Sequence, residues 1–573
     1  MVPEETMSHW NSTPHSSDST TRRQEVAAAG ISIGQYLIRR LQDYGISDMF
    51  GIPGDYVLSF YSLLEQSPIR VYGCTREDCA GFAADAYARI HGMGALCVTY
   101  CVGGLSVCNS IAGAFAEKSP VVLVTGSPGL SERVNNPLLH HKVRDFRTQM
   151  EVFEKLCIAG AELSDPVSAF REIDRVLDAC ARYKRPVYIE LPRDMVQVEP
   201  TSNYTYVPAS TQGDPQATQE AVKEAAGLLA RCEKPLILAG VEIHRFGLQD
   251  KLLGFAESTQ IPIASTLLGK SVIRETHPLC VGIYEGALGQ QEVTAYVEES
   301  DCLLLLGTFM TDLNLGIYTA NLDPQKCVYA TSEQLRIHHH HYHNVKLDDF
   351  IEQLSACSPA VVRREIPAWA DRQIRPFEPR PTEALTTVRM TECLNAYLDE
   401  DTIVIADIGD SLFAATELIT RDRTEFISPA YYTSMGFSVP AALGAHVARP
   451  AQRVLVICGD GAFQMTGMEL SSIVRNAFAP IVIVLDNHGY GTERFLHAGN
   501  WHYNEIHPWN YSKLPEVLGG GTGYEVRTEG EFEQALQTAW EDRQAMSLIH
   551  VRLKENDASP TLLRLGERLG AQV

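Results

Sequence analysis

The chain has 573 residues, 45% of them hydrophobic and 21% charged, the balance of an ordinary globular protein too long for one core. Its 71 acidic residues outnumber its 48 basic ones for a net charge of −23, which argues against nucleic acid or an anionic membrane as partner, since both attract basic surfaces. No apolar run approaches the ~18 residues of a membrane span.

Residues 1–30 are polar, rich in Ser and Thr, and lack the apolar stretch of a secretory signal; they read as a disordered extension. From Ile31, "ISIGQYLIRRLQDYG" sets Ile33, Leu37, Leu41 and Tyr44 at helical spacing, with Ser32 before the helix and Gly45 after it. The strand-like runs "ALCVTY", "PVVLVTG" and "PVYIEL" then alternate with Gly/Ala-rich helical stretches, the pattern of βα units on a parallel sheet. Residues 201–215 carry turn formers without helical period and read as a linker. A second block follows with "PLILAG", "IPIAST", "CLLLLG" and "KCVYAT", then a Pro-rich linker over 358–384. A third block carries "TIVIAD", "RVLVICGDG", "PIVIVLDN" and "SLIHVRL". The expectation is an α/β protein of three doubly wound parallel-sheet domains, at 31–205, 216–357 and 385–573. Fourteen cysteines without a C-x-x-C pair read as reduced, small hydrophobes of a cytoplasmic protein, not as a disulfide framework or zinc site.

Two histidine clusters stand out. In "IHHHHYH", residues 337–343, an extended segment would put His339, His341 and His343 on one face. No acidic group nearby in sequence would orient metal-bound imidazoles, so a polar strand face is expected. In "PLLHHKVR", His140 and His141 taken alone fit a solvated loop pair, or one core histidine beside an exposed one.

The most informative stretch is residues 453–496, "RVLVICGDGAFQMTGMELSSIVRNAFAPIVIVLDNHGYGTERFL". It reads as strand, Gly-Asp-Gly turn, helix, strand and an Asn-containing turn. A right-handed crossover brings both strand ends to one sheet edge, where open α/β sheets bind ligands. Asp460 and Asn487 then reach one point. Their oxygens, with the Gly489 carbonyl, make a hard-oxygen site for Mg²⁺ or Ca²⁺ with positions left for phosphate. Gly459 and Gly461 let the backbone approach a diphosphate.

This pattern resembles the thiamin diphosphate (ThDP) motif, and residues 31–565 are similar to the 2-oxo acid decarboxylases. The resemblance is strongest to phenylpyruvate and indolepyruvate decarboxylases, and weaker to pyruvate decarboxylase. It is carried by "FGIPGDY", "FAADAYAR", "GAFAEKSPVV", "LLHH", "VEIHRFGL", "YYTSMGFSVPAALGA" and "GDGAFQMTGMEL". It implies a pyrimidine-binding domain first, a middle domain without catalytic residues, and a diphosphate- and Mg²⁺-binding domain last. It implies that Glu77 hydrogen-bonds the cofactor's aminopyrimidine, that Met435 supports its bend, and that the Thr433 carbonyl accepts from its amino group. Asp410, Ser411 and Ala462 are implied as further cofactor contacts. His140 and His141 match the family's proton-relay pair, with Asp55 and Glu493 as the carboxylates beside it. The family also implies a homodimer as the minimal active unit, with Glu77 and Asp460 meeting from two subunits, commonly doubled to a homotetramer.

Two departures bear on the substrate. Ile408 stands where pyruvate decarboxylases tend to have Thr and indolepyruvate decarboxylases Gln. Thr492 replaces a larger aliphatic residue common in pyruvate-specific members. With Leu412 and Leu496, these residues imply a widened apolar pocket for an aromatic or bulky 2-oxo acid, phenylpyruvate or indolepyruvate before pyruvate. The alternatives are a pyruvate decarboxylase or a carboligating enzyme of the acetolactate synthase type. An NAD- or FAD-dependent oxidoreductase lacks support, because no G-x-G-x-x-G joins a strand to a helix. A non-catalytic scaffold would not need Glu77, His140, His141, Asp460, Asn487 and Glu493 together.

Overall fold

Runs of Val, Ile and Leu bounded by turn residues become buried strands, and these assemble into three sheets with helices packed against them. The computed structural model of the chain describes residues 30–569 except 201–203, 209–211, 423, 498 and 500. The extension expected over 1–30 lies outside the described residues but for Gly30, as does part of the first linker. The first helix spans Ile33–Asp43, closed at its start by a Ser32–Gln35 capping box.

The first sheet holds β1 (Asp48–Gly51), β2 (Arg70–Gly73), β3 (Gly94–Val98), β4 (Val121–Ser127), β5 (Ala159–Glu162) and β6 (Val187–Pro192), in the order β2-β1-β3-β4-β6-β5. The second holds β7 (Pro235–Ala239), β8 (Ile263–Ser265), β9 (Cys280–Ile283), β10 (Cys302–Leu306), β11 (Cys327–Ala330), β12 (Leu335–Ile337) and β13 (His340–Tyr342). The third holds β14 (Thr402–Ala406), β15 (Glu425–Ile427), β16 (Arg453–Gly459), β17 (Ile481–Asp486), β18 (Thr522–Val526) and β19 (Ser547–Arg552), in the order β15-β14-β16-β17-β19-β18. The first and third sheets are parallel and share one strand order, position for position.

The second sheet departs from the all-parallel expectation at one edge, where β11, β12 and β13 run antiparallel. That edge is the histidine stretch. His338, at φ 52°, turns the chain between β12 and β13, so 337–343 is a hairpin and not one extended run. His340 and Tyr342 share a face instead, and both reach Glu224 on the helix Pro215–Leu229, with His340 Nδ1 at 2.8 Å. His339 Nε2 pairs with Gln325 at 3.2 Å. The described cysteines are free thiols, and all but Cys357 are buried or half-buried. Among the described residues no helix is long and apolar enough to cross a membrane.

The first and third sheets are joined by the helices Glu77–His91 and Ser438–Ala448, which follow the matching strands β2 and β15. They approach until a Cβ on Gly444 would sit 2.0 Å from the Ala83 carbonyl oxygen. Inside the first domain, Glu190 on β6 is fully buried and accepts from the Tyr188 hydroxyl at 2.6 Å. Burial pushes its carboxyl up to about 7, against the opposing pull of that hydrogen bond.

Gly444→Ala should cost about 1–3 kcal/mol through overpacking and lower the thermal midpoint. Gly254→Ala, in a helix where a new Cβ meets nothing within 4 Å, should leave the midpoint unchanged or raise it. The Glu190 carboxyl holds its proton more tightly folded than unfolded. Its contribution to stability is therefore full below its unfolded value of 4.5 and lost as pH rises through about 7. Glu190→Gln should flatten the pH dependence of the melting temperature across that window and be relatively more stable on its alkaline side.

Candidate active site

Loops leaving the carboxyl ends of β14, β16 and β17 meet at one edge of the third sheet around a cavity of about 350 Å³. It lies where the strand order reverses between β14 and β16, the crevice in which open parallel sheets hold ligands. The β14 loop contributes Ile408, Asp410 and Ser411, and the β16 turn contributes Gly459, Asp460, Gly461 and Ala462. From the β17 loop and the short helix Gly491–Leu496 come Asn487, Gly489, Thr492, Glu493 and Leu496. Thr433 and Met435 close the set. Among the described residues no Lys, Arg or His lines the cavity.

Asp460 is buried, and its two oxygens accept the N–H groups of Gly461 at 2.8 Å and Gly489 at 3.0 Å. Burial, and then the charge of Asp486, push its carboxyl up to about 7. Asp486 moves the other way: burial opposes ionisation, but His550 and Arg552 outweigh it and hold the carboxyl below its usual value. A buried carboxylate facing a second acid, with Asn487 and Gly489 among the same lining residues, is a donor set that fits a hard divalent cation. Gly489 sits at φ 141°, and a Cβ there would lie 1.9 Å from the Asn504 carbonyl, so the turn admits only glycine. Gly459 has nothing within 4 Å of where its Cβ would be, and that open space suits the close approach of a diphosphate. Asp410 accepts the Ser559 N–H at 3.1 Å, and burial pushes its carboxyl up to about 6.

The segment carrying Thr433 and Met435 is held from both sides. Glu117, ion-paired with Arg89 at 2.8 Å, accepts the N–H groups of Tyr431 and Tyr432 at 2.8 and 2.9 Å. Asp407, fully buried just past β14, accepts the N–H groups of Ile408, Gly436 and Ser438 at 2.9, 3.0 and 2.9 Å. Between these anchors Thr433 takes a left-handed φ of 58°. Sequence reading missed both carboxylates. The signal was an acid directly after a buried strand in "VIAD" and a lone acid inside apolar "GAFAEKSPVV".

The equivalent edge of the first sheet holds the relay candidates. Asp55 follows β1, and His140 and His141 lie on the loop after β4. His140 Nε2 is 2.6 Å from Asp55 Oδ2, and the His140 ring stacks on Tyr56 at 4.8 Å. His141 adopts φ 64°, which brings its ring to 4.8 Å from that of His140 although the two are sequence neighbours. One ligand atom from each of Asp55, His140 and His141 falls within 4.8 Å of the others, a spacing that serves a metal ion or a proton relay. Glu77 opens the helix Glu77–His91 half-buried, just after Thr75, whose N–H donates to Glu469 at 3.0 Å.

The structure thus gathers Asp55, His140 and His141 at one edge and the diphosphate-type residues at another. None of Asp55, Glu77, His140 and His141 lines the cavity of the same chain. Leu412, expected in the pocket wall, is instead fully buried in the third-sheet core near Val404 and Leu455. One residue along a helix turns the side chain by about 100°, and Phe413 takes the wall position. The cavity also gains Leu313 and Ile317 from the second-sheet region, Tyr490, and Leu565 and Leu569 from the final helix Pro560–Leu569. The spacing of those two leucines by one helical turn was the available signal.

Three family descriptions match the chain: the N-terminal TPP binding domain of thiamine pyrophosphate enzymes over residues 31–151, the central domain over 222–353 and the C-terminal TPP binding domain over 407–551. The chain is 34% identical to an indole-3-pyruvate decarboxylase of Azospirillum brasilense, covering 93% of this chain and 97% of the relative. It is 31% identical to an alpha-keto-acid decarboxylase of Mycobacterium leprae, covering 93% and 94%. It is 32% identical to one of Mycolicibacterium paratuberculosis, covering 93% and 96%.

Proposed function

This chain belongs to the thiamin diphosphate-dependent 2-oxo acid decarboxylases, and on that footing we propose that it converts phenylpyruvate, indolepyruvate or a similarly bulky 2-oxo acid to the aldehyde and CO₂, with Mg²⁺ as the cofactor's anchor. The observation that carries the substrate reading is the cavity wall. Ile408, Phe413 and Leu496 present apolar surface, Thr492 is small, and no cationic side chain lies among the lining residues.

Bound thiamin diphosphate supplies the nucleophilic carbon and the electron sink that decarboxylation of a 2-oxo acid needs. Asp460, Asn487 and the Gly489 carbonyl hold Mg²⁺ in this reading, and Asp410, Ser411, Gly459, Gly461 and Ala462 contact the cofactor. Thr433 and Met435, fixed between the Glu117 and Asp407 anchors, support its middle. Glu77 would hold a proton at its carboxyl toward the cofactor's aminopyrimidine ring. Asp55 orients His140 through the 2.6 Å contact, and His140, His141 and Glu493 deliver and remove the protons that release the aldehyde. Among the described residues of one chain the lining supplies no Lys or Arg to pair with the substrate carboxylate, which would favour its loss as neutral CO₂.

The absence of Asp55, Glu77, His140 and His141 from the cavity lining of the same chain supports the assembly that the family resemblance implies, a homodimer whose complete site draws on two copies, doubled in a homotetramer. Mixing Glu77→Gln chains with Asp460→Asn chains, each inactive alone, should then restore about a quarter of the wild-type rate through hybrid dimers. No recovery after subunit exchange would place the whole site in one chain.

Aldehyde formation should require ThDP and Mg²⁺, stop on dialysis against EDTA and return with Mg²⁺. Assays with phenylpyruvate, indolepyruvate, 4-methyl-2-oxopentanoate and pyruvate should give the highest kcat/KM with an aromatic or bulky acid. Thr492→Leu should lower phenylpyruvate relative to pyruvate about tenfold, within the range that about one methylene controls in such pockets. Pyruvate as best substrate would overturn the reading of Ile408 and Thr492. Acyloin without aldehyde would favour the carboligating alternative.

A further inference from the structure

We infer that Ile317, carried by the second-sheet domain, sets the length of substrate side chain that the cavity accepts; this rests on the 2-oxo acid reading above. Family resemblance leaves that domain without catalytic residues, yet its segment 311–320 reaches the cavity with Leu313 and Ile317. Ile317 packs against the buried cluster that contains Leu288, Phe413, Leu562 and Leu565, which makes it part of the apolar end of the cavity and not of the glycine turns.

The backbone there is costly. Gly316, Ile317 and Tyr318 lie at φ 57°, 53° and 59°, and a β-branched residue in the left-handed region is a genuine outlier. Such conformations persist where the surroundings over-determine them, and they cluster at ligand sites. Here the surroundings are specific. The Ile317 N–H donates to the Asp312 carbonyl at 2.7 Å, and buried Asn314 donates to the Phe309 carbonyl at 2.7 Å. The Thr319 hydroxyl donates to the Gly316 carbonyl at 2.6 Å and accepts the Ala287 N–H at 2.9 Å. Arg564, on the helix that brings Leu565 to the cavity, donates to the Leu288 carbonyl at 2.6 Å and locks the facing wall to the same frame. A turn alone would be served by Gly or Asn at position 317. The strained position here carries a branched apolar side chain, and its firm backing lets it act as a stop.

The test uses the full-length holoenzyme and straight-chain 2-oxo acids from 2-oxobutanoate to 2-oxooctanoate. Ile317→Ala should raise kcat/KM for 2-oxooctanoate relative to 2-oxobutanoate about tenfold, and Ile317→Trp should lower the same ratio by a similar factor, as expected for adding or removing pocket volume. Ile317→Val should retain the wild-type ratio. Melting curves accompany each variant, and if Ile317→Trp does not fold, the Ile317→Ala ratio decides. An equal change for every chain length, or an unchanged ratio in Ile317→Ala, overturns the inference. The wild-type profile answers a separate question: best activity on pyruvate would sink the bulky-substrate reading, while the variant-to-wild-type ratio along the series would still report on Ile317.

Discussion

The contact of two helices, with Gly444 lying over the Ala83 carbonyl, governs where everything else sits. The helices follow matching strands of two sheets with one strand order, so the first and third sheets back onto each other through equivalent faces. Each sheet keeps its own carboxyl edge, one bearing acid and imidazole, the other bearing glycines and a buried aspartate. Near the same junction the buried Arg89 pairs with Asp85 and Glu117, both at 2.8 Å, and donates to the Ser428 carbonyl at 3.0 Å. Removing one partner from such a buried cluster typically costs about 3–5 kcal/mol. The same Glu117 holds the Tyr431–Tyr432 backbone, so the charge cluster that steadies the sheets also steadies the Thr433–Met435 segment.

The second sheet is attached by buried ions of a different kind. Lys118 of the first domain pairs with Glu242 and donates to Ser332 at 2.5 Å. Lys270 pairs with Glu275 at 2.7 Å, and Arg372 with the same carboxylate at 2.9 Å. Lys270 also donates to the Leu418 carbonyl, and Glu275 accepts the Thr420 N–H, both on the third domain. A domain fixed to both neighbours can present a rigid wall, and the segment around Ile317 uses that rigidity.

Much of this was legible in the sequence. The strands were, because apolar runs between turn residues leave a buried parallel strand few alternatives. Asp460 and Asn487 were, because strand, turn, helix and strand force two loop ends to one edge. The hairpin at His338 was not, since a polar edge strand shows no burial pattern to fix its register. Leu412 and Phe413 are both large and apolar, and only the helix start at Asp410 decides which one faces the core. Ile317 reaches the cavity through tertiary packing from another domain, which no local spacing encodes, and the helical spacing of Leu565 and Leu569 marks one apolar face without saying what that face packs against. Glu117 and Asp407 act on backbone N–H groups, and that role has no sequence period.

The cation-free wall has a further consequence, one of flux. In the proposed reaction an oxo acid would enter as an anion and leave as a neutral aldehyde with the same apolar side chain. A surface that offers the carboxylate little but the side chain much holds product at least as well as substrate. On the proposed function, clearance of aldehyde would then bear on throughput, and a neighbouring reaction that reduces or oxidises aldehydes as they form would serve it.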